Sequence, residues 1–508
     1  MTMVIRPPRR RGIPRRASEW WRRHAPNPQE APLVIGGVLG IGGLLFLFSV
    51  LLGLAAVDVW SGIIVALLLM ILSYPLFNWV ARLEREPWLF RVLYAALIAK
   101  FVFSMIRFFV FFNIYSGNGD AGLYHDVGTV FMRRFRDGLP IHPLPRISAF
   151  PVETHWVGDI TGIIYVFTGS SSYAGFLVFS YLCFWGQILA VRGLRAGVPE
   201  ADFRRYALLV LFVPTLLFWP SSLGKEALML FLFGFVAYGG GLMLGPTPKA
   251  RGIPFFAAGL GGLSMIRPHV ALMSVGALLI GSVVALLSRS RATSGSSFRV
   301  VAVRSMTLVV VILVAVFSLS RFNERFGGEE GSGTDATSSA LEGTLAATSQ
   351  GSSSFAPVVI DHPVKLPLGV LSVIFRPLPW EATSSNALIG AIEGVVMLAI
   401  FATSFPRIRT FFRLLPKRPY LVFSLIFVLA FSVGFSYVGN FGILSRQRAQ
   451  MVPAVLVMVA LMPPAKRVKV RRTQKQIGGV LEREVVDDGS PDTLEPVTVG
   501  VGRPREGE

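Results

Sequence analysis

The chain has 508 residues, of which 53% are hydrophobic and only 15% are charged. A mean hydropathy of +0.59 excludes a soluble enzyme of this length and predicts a polytopic membrane protein. The formal net charge is +20, but Lys and Arg stand in short clusters between apolar runs, which is typical of topology signals and not of a nucleic-acid-binding face. The single cysteine, Cys183, excludes a disulfide framework and a cysteine-based metal site.

The predicted fold is all-α, a polytopic transmembrane helical bundle over 31–463. Residues 1–30, which are rich in Arg and Pro, are predicted to form a disordered basic cytoplasmic tail that contacts anionic lipid headgroups. The first apolar run begins near Ala31 and is too long for the apolar core of a signal peptide, so it is predicted to be an uncleaved first span.

The apolar runs predict the number of spans, because crossing the bilayer as a helix takes roughly 20 apolar residues. This criterion gives about twelve spans. They cover 31–57, 60–81, 88–113, 160–191, 206–220, 224–245, 253–267, 269–288, 299–320, 384–404, 419–438 and 448–463. The run 160–191 is predicted to hold one span and a shorter re-entrant or interfacial piece. For 253–288 a re-entrant hairpin is an alternative to two spans, because Arg267 and Pro268 interrupt it.

Basic clusters predict the orientation of these spans. Arginines precede the first span and Lys and Arg follow the last, so both termini are predicted to be cytoplasmic. An even number of spans then places the clusters at 82–85, 192–205, 249–251, 289–299 and 407–418 inside. The outer loops are predicted at 114–159 and 321–383, and the arginines at 133–136 in the first of them are the one exception to the charge rule.

Two segments lack any hydrophobic periodicity. Residues 327–354 are rich in Gly, Ser and Thr and are predicted to form a flexible outer loop, either a plain linker or a mobile lid. Residues 464–508 are first basic and then acidic, and they are predicted to form a disordered cytoplasmic tail.

The predicted topology places five polar stretches together at the outer membrane boundary. They are SGNGDAGLYHDVG at 116–128, FWPSSLGKEA at 218–227, IRPH at 266–269, FRPLPWEA at 375–382 and SRQRAQMVP at 445–453. An ionisable group in this position costs a few kcal/mol unless it faces a polar cavity or a partner. One shared outward-facing cavity would explain all five stretches.

The predicted cavity has an acidic side and a larger basic side. Its lining is predicted to comprise Asp120, Tyr124, His125 and Asp126 on one side and Lys225, Arg267, His269, Arg376, Arg446 and Arg448 on the other. Lys100 and Arg107 are seven residues apart, so they share a helix face that extends the basic lining into the membrane. Arginine binds phosphate oxygens in a bidentate manner, so this composition indicates a phosphate-bearing ligand.

The acidic residues also have other interpretations. Asp120 stands in a Gly-rich turn, where aspartate often caps the backbone. Asp120, His125 and Asp126 together are a possible set of ligands for a divalent cation, although the metal and the cofactors are otherwise unknown. Glu381 is a candidate cap for the span that begins near 384.

Structural interpretations are also open for the basic residues. Lys225 and Glu226 can form an internal ion pair, and Arg446 and Arg448 flank a span end, where basic residues contact headgroups. Lys100 can extend to the membrane surface or pair with an acid on another span.

The stretch GDAGLYH, with Asp120 in the first large outer loop of an apolar chain, resembles the integral-membrane glycosyltransferases of the GT-C type, which use sugars carried on polyprenyl phosphate. The other four polar stretches are similar to segments of bacterial envelope proteins grouped with these transferases and with O-antigen-type polysaccharide polymerases. The resemblance covers roughly 88–463 and consists of short motifs. In that family the acidic loop follows the first span, whereas here it follows the third, which implies either an N-terminal extension of two helices or a polymerase-like branch.

The resemblance implies a GT-C-like enzyme of the bacterial plasma membrane whose site faces outside. Asp120 would be the base that activates an acceptor hydroxyl, with His125 and Asp126 as further catalytic candidates. The residues implied in substrate binding are Arg107, Tyr124, Lys225, Glu226, Arg267, His269, Arg376, Trp380, Glu381, Arg446 and Arg448. The implied partners are the lipid-linked donor, a glycan or lipid acceptor and membrane lipid, without nucleic acid.

Three alternatives remain at this point. A polysaccharide polymerase of the O-antigen type would use the same outer site. A flippase or transporter of lipid-linked oligosaccharides would carry polar residues along its whole pathway, whereas the inner halves of these spans are apolar. A scaffold in an envelope assembly would use the outer charges as an interface.

Overall fold

A computed structural model describes residues 31–51, 56–114, 116–117, 119–141, 155–289, 316, 320, 334–349, 353–463, 475–477 and 480–482. Within these residues the chain is helical apart from short bridges and one strand pair, which confirms the all-α prediction. The helices are α1 (Ala31–Leu51), α2 (Ala56–Glu84), α3 (Pro87–Phe109), α4 (Asp120–Arg136), α5 (His155–Thr168), α6 (Ser172–Gly197), α7 (Phe203–Phe212), α8 (Pro214–Phe218), α9 (Lys225–Leu244), α10 (Gly252–Ile266), α11 (Pro268–Arg289), α12 (Thr334–Thr348), α13 (Leu366–Phe375), α14 (Ser385–Ala402), α15 (Phe405–Leu414), α16 (Pro419–Phe435), α17 (Phe441–Arg448) and α18 (Val452–Val457).

The helices belong to the first of two compact units, Met1–Met462. The second unit, Pro463–Glu508, holds strands β1 (Lys475–Ile477) and β2 (Val480–Glu482). These strands pair antiparallel, with Gln476 opposite Leu481.

Five helices among the described residues are long and apolar enough to cross a membrane. They are Trp60–Glu84, Pro87–Ile114, Ser172–Gly197, Lys225–Leu244 and Pro268–Leu287, and a sixth span is possible if α14 and α15 count as one bent unit. Large apolar side chains on their surface are exposed, for example Leu68, Ile71 and Leu287. These features are consistent with a membrane-embedded protein. The predicted run 299–320 lies almost entirely outside the described residues.

Several of the predicted spans are divided. The run 206–220 breaks between α7 and α8, because Pro214 has no N–H and its predecessor Val213 is extended. The run 160–191 consists of the short α5 and the long α6, as predicted, with Gly169 at a φ of 76° between them. The run 448–463 was predicted as one span, and this was wrong, because it contains only the six-residue helix α18.

The prediction of a flexible loop over 327–354 was wrong for Thr334–Thr348, which forms helix α12. Its sequence TDATSSALEGTLAAT contains four alanines and two leucines, which favour helix, and this preference exceeds the loop signal of the surrounding Gly and Ser. The Thr348 hydroxyl accepts a hydrogen bond of 2.9 Å from the Gly439 backbone N–H. The predicted outer loop 114–159 likewise contains α4 and the start of α5.

Helices α6 and α9 form the centre of the bundle through glycine contacts. Gly186 and Gly193 on α6 face Gly234 and Gly241 on α9, with the same seven-residue spacing on both helices. A Cβ atom at Gly234 would lie only 2.3 Å from the Gly186 carbonyl oxygen. Small residues therefore bring the two backbones into direct contact, as in membrane helix pairs.

A second glycine contact joins α4 and α5 into a hairpin. A Cβ at Gly158 would lie 2.3 Å from Val127 Cγ1, and one at Gly162 would lie 2.3 Å from Phe131 Cγ. The close packing fixes α4, and with it the position of Asp120 at the first residue of that helix.

The bundle has two chemically different ends. Helix α3 begins at Pro87, beside Glu86, and carries Arg107 in its last turn, and the 20-residue helix α9 runs in the opposite direction from Lys225 to Leu244. At 1.5 Å per residue α9 is about 30 Å long, the thickness of a bilayer core. We call the end that holds Arg107 and Lys225 the cavity end, and the end that holds Glu86 and Leu244 the arginine end.

Candidate functional site

A cavity of about 260 Å³ lies at the cavity end, where α3 ends and α4 and α9 begin. Its lining combines four ionisable residues with apolar and small ones. The lining residues are Arg107, Phe111, Gly119, Asp120, Ala121, Phe176, Trp219, Ser222, Leu223, Gly224, Glu226 and Arg446. The structure thus brings together segments of three of the five predicted polar stretches, with two carboxylates and two guanidinium groups around one space.

The backbone before α4 is shaped to present Asp120 to this cavity. Helix α3 continues into a π-helical turn, Val110–Ile114, and the chain then reverses through Ser116 and Gly117, whose φ angles are 52° and 71°. Gly119 has a φ of 152°, which glycine adopts without steric cost. Asp120 is exposed in the first turn of α4, where the helix dipole favours its negative charge.

Two helix N-termini are directed towards the cavity. Gly119 precedes α4 and Gly224 precedes α9, and both glycines line the space. The first N–H groups of a helix have no partner within it and carry partial positive charge, which attracts anions. The cavity is therefore suited to an anion in spite of its two carboxylates.

Glu226 lies in the first turn of α9 and faces arginines from three other parts of the fold. Arg446, Arg267 and Arg107 are all close enough to stabilise its charge. The sequence left open a pair between Glu226 and its neighbour Lys225, and the structure adds these more distant arginines to its surroundings. Lys225 itself is half-buried at the first position of α9.

Arg107 is held against two aromatic rings. Its guanidinium carbon lies 5.1 Å from the ring centroid of Phe218 and 5.1 Å from that of Trp219, and only 8% of the residue is exposed. The Trp219 indole N–H donates a hydrogen bond of 3.0 Å to Glu393. A buried carboxylate on α14 thereby fixes the ring that positions a cavity arginine.

Arg267 and Tyr124 lie beside the cavity. Arg267 stands at the break between α10 and α11 and donates a hydrogen bond to Gln447, the neighbour of Arg446. Tyr124 is one helical turn after Asp120, and its pKa is raised by burial and further by the nearby carboxylates of Asp120 and Glu226. The tyrosine is therefore a neutral hydroxyl group at physiological pH.

Arg448 was predicted to line the cavity, and this was wrong. It is fully buried, its guanidinium donates to the carbonyls of Ile374 and Arg376 at 2.9 and 2.8 Å, and it lies 3.3 Å from Glu393. Those carbonyls are at the end of α13, where Pro377 interrupts the supply of backbone N–H groups. Arg448 thus replaces the missing donors.

Arg376, Trp380 and Glu381 are not part of the cavity lining either. Arg376 forms an ion pair of 2.6 Å with Glu381, and its guanidinium lies 4.7 Å from the centroid of the Phe355 ring. Glu381 accepts a hydrogen bond of 2.8 Å from the Leu378 N–H, so it caps the 3₁₀ turn Pro379–Glu381 and not α14. Trp380 is 79% exposed.

His125 and Asp126 lie on another face of α4. His125 Nδ1 is 2.8 Å from the Tyr165 hydroxyl, and burial lowers the pKa of the imidazole. Asp126 is exposed, and neither residue lines the cavity. Within the part of the chain that the structure describes, no three His, Cys, Asp or Glu residues are close enough together to hold a metal ion.

His269 and Lys100 have local packing roles. The His269 ring lies 5.8 Å from that of Phe435. Lys100 is fully buried, and its ammonium donates a hydrogen bond of 2.7 Å to the Leu216 carbonyl. Pro220, four residues after Leu216, has no N–H to offer that carbonyl, so the lysine supplies it. Neither the surface-directed nor the acid-paired alternative describes Lys100.

Sequence reasoning missed Trp219 and the two glycines, Gly119 and Gly224, that precede α4 and α9. All three lie in the predicted polar stretches, where only the charged residues indicated a site. A second signal in SRQRAQMVP was also missed. Residues two apart on a helix point about 200° apart. Arg446 and Arg448 could not both face one cavity.

Comparison with protein-family models, with curated proteins and with solved structures gave no match.

Proposed function

We propose that this chain is an integral-membrane glycosyltransferase that moves a sugar from a polyprenyl-phosphate-linked donor to an envelope acceptor. The site would face the outside of the bacterial plasma membrane, within a GT-C-like multi-span helical bundle whose termini are cytoplasmic. The supporting observation is one cavity, at one end of helices of bilayer length, that contains Asp120, Glu226, Arg107 and Arg446.

The phosphate of the donor would bind between Arg107 and Arg446. Guanidinium groups form paired hydrogen bonds with phosphate oxygens, and the N-termini of α4 and α9 add backbone donors to the same space. These positive groups stabilise the charge that grows on the phosphate as the bond to the sugar breaks. Arg267, near Glu226 and bonded to Gln447, keeps the local potential positive.

Asp120 is the base in this proposal. It accepts the proton of the acceptor hydroxyl while that oxygen bonds to the anomeric carbon, and the anomeric carbon–oxygen bond to the phosphate breaks, releasing polyprenyl phosphate. Asp120 is exposed at the cavity rim, where an acceptor can reach it. Glu226 is stabilised as an anion by three arginines, so it is better suited to orient them than to take up a proton.

The apolar part of the lining suits an isoprenoid chain. Phe111, Phe176 and Leu223 line the cavity. Along α3 and the π-helical turn that follows it, Ile106, Phe109 and Phe112 are each about 40% exposed, as expected of side chains in contact with lipid. A lipid-linked donor would therefore reach the arginines laterally from the bilayer.

The distribution of charge supports an outward-facing site. The arginine end carries the basic clusters around 82–85, 192–205 and 407–418, which the positive-inside rule assigns to the cytoplasm. The cavity is at the opposite ends of α3 and α9. It would thus face the extracytoplasmic side.

The substitution Asp120→Asn tests the proposal, because it keeps the side-chain shape and removes the base. In cells that depend on this chain, we expect at least a roughly 100-fold loss of the glycan product and accumulation of a lipid-linked precursor on the outer leaflet. Asp126→Asn is the matched control, because it changes an exposed aspartate of the same helix that does not line the cavity.

Three outcomes would contradict or redirect the proposal. Unchanged glycan output with correctly inserted Asp120→Asn protein excludes Asp120 as the base. Precursor that accumulates on the inner leaflet indicates a flippase. Outer-leaflet precursor with single repeat units but no long chains indicates a polymerase of the O-antigen type that uses the same cavity.

A further inference from the structure

Helix α15 leaves the bundle at a sharp angle. The apolar segment Ala387–Ala402 and the segment Phe405–Lys417 are bent by 71° at the residues between them. If the first segment crosses the bilayer, the second runs close to the membrane plane. Its sequence, FPRIRTFFRLLPK, has aromatic and basic residues and no acidic residue.

One face of α15 is firmly attached to the arginine end of the bundle. Phe411 is fully buried. Arg407 donates hydrogen bonds to the Asp202 carboxylate at 3.0 Å and to the Leu461 carbonyl at 2.9 Å. At the bend, the buried Ser404 hydroxyl accepts a hydrogen bond of 2.6 Å from Arg205. The orientation of the helix about its own axis is therefore fixed.

The opposite face combines exposed aromatic rings with exposed guanidinium groups. Phe405 and Phe412 are 62% and 53% exposed, and Arg409 and Arg413 are exposed beside them. The positions 405, 409, 412 and 413 follow the spacing of a single helix face. The Arg409 guanidinium carbon lies 5.5 Å from the Phe405 ring centroid, so the two groups form one amphipathic surface.

Among the residues that the structure describes, the carboxylates of Asp202 and Glu200 do not neutralise this surface. Asp202 is bonded to Arg407, and Glu200 is paired with Arg418 after the helix. Both partners are basic residues that lie outside the exposed set at 405, 409, 412 and 413. Arg409 and Arg413 therefore contribute positive charge to a surface that also presents two large rings, which is the composition of helices that lie in a membrane interface.

We propose that this exposed face of α15 binds the anionic phospholipids of the leaflet at the arginine end, with Arg409 and Arg413 contacting lipid phosphates and Phe405 and Phe412 inserted among the upper acyl chains. The charges select acidic headgroups, and the rings determine the depth. This inference does not depend on glycosyl transfer.

Lipid selectivity tests the proposal directly. Full-length protein is placed in nanodiscs that contain phosphatidylglycerol and phosphatidylcholine, and the lipids retained after detergent extraction are counted by native mass spectrometry. We expect R409Q/R413Q to retain phosphatidylglycerol roughly tenfold more weakly than the unaltered protein. The control R133Q/R136Q removes two arginines of α4 in the same way, and we expect it to leave retention unchanged. Equal retention by R409Q/R413Q and the unaltered protein, or an equal loss in the control, overturns the proposal.

A second measurement does not depend on charge. A nitroxide attached at Phe412→Cys should be more accessible to oxygen than to a polar nickel reagent in phosphatidylglycerol vesicles, whereas the native Cys183 is buried and stays unlabelled. A label that is fully accessible to the polar reagent in these vesicles would overturn the proposal and leave the face to a protein partner.

Discussion

The two ends of the bundle contain the same types of charged side chain, arginine and carboxylate, in different arrangements. At the arginine end, guanidinium and carboxylate groups are in direct contact, with Arg192 at 2.6 Å from Glu84 and Arg407 at 3.0 Å from Asp202. At the cavity end, Arg107, Asp120, Glu226 and Arg446 surround a space of about 260 Å³. Charges in contact join helix ends to one another, whereas charges around a space are available to a ligand.

Helix α17 shows this contrast within a single turn. Arg446 lines the cavity, while Arg448, two residues later, is fully buried against Glu393 and two carbonyls. Residue type and local sequence are the same for both, and only the direction of the side chain differs. The following predictions test whether contact charges stabilise the fold while cavity charges do not.

The largest effect on stability is expected for Arg448→Leu. It leaves the Glu393 carboxylate, 2% exposed, without its ion-pair partner, and removing one member of a buried pair typically costs about 3–5 kcal/mol. A denaturant titration in detergent measures the loss in the free energy of unfolding. The double variant Arg448→Leu/Glu393→Leu should recover part of it, and Arg446→Gln should change stability by less than about 1 kcal/mol. Equal losses for Arg446→Gln and Arg448→Leu would remove the distinction between the two arginines.

The next largest effect is expected at the glycine contact between α6 and α9. Gly234→Ala places a Cβ atom 2.3 Å from the Gly186 carbonyl oxygen, so α6 and α9 must separate, and we expect a destabilisation of about 1–3 kcal/mol. Gly261→Ala is the matched control, because a Cβ there meets no atom within 4 Å and alanine favours helix. Thermal unfolding in the same detergent compares them. A control that is as unstable as Gly234→Ala would contradict the packing argument.

A smaller effect is expected at the arginine end. Arg407→Gln breaks an ion pair whose side chains are 20% and 24% exposed, and partly exposed pairs contribute about 0–1 kcal/mol. A double-mutant cycle with Asp202→Asn isolates the coupling energy between the two residues. A coupling above about 2 kcal/mol would mean that this end behaves like the buried pair of Arg448 and Glu393.

The smallest effect is a pH dependence from His125. Burial lowers the pKa of its imidazole in the folded chain, so below about pH 6.5 the unfolded chain binds a proton more readily and the folded state loses stability as pH falls. The unfolding temperature should therefore decrease between about pH 7 and 5, and His125→Asn should reduce that decrease. A decrease of the same size in the variant would assign the effect to other groups.

The lengths of the apolar runs and the basic clusters were sufficient to predict a membrane-type helical chain. They overestimated how many of these runs form one continuous helix. Pro214 divides one apolar run, and the segment after Arg448 winds only a six-residue helix. Hydropathy measures how much apolar surface a segment carries, while backbone features such as a proline determine whether it stays helical. The helix over Thr334–Thr348 was missed for the converse reason, because its alanines are surrounded by Gly and Ser.

The candidate site was predictable in part. Asp120 and Arg446 were predicted to lie on opposite sides of one cavity, and both line it, whereas Tyr124, predicted with them, lies beside the cavity near Asp120. Arg376 and Arg448 were misplaced because a basic residue serves equally well in an ion pair, as Arg376 does with Glu381, or as a donor to carbonyls at a helix end, as Arg448 does. The two-residue spacing of Arg446 and Arg448 excludes a shared cavity for both, but which of them faces it depends on the positions of Pro377 and Glu393 in space.

By itself the sequence determined that this is an apolar, membrane-type helical chain. Composition and the placement of basic clusters along the chain do not depend on how the helices pack. Only the tertiary structure decided which charges face a cavity and which complete the backbone of another helix. The physical reason is that a guanidinium group is stabilised by any nearby acceptor, so its role is set by the neighbours that the fold supplies.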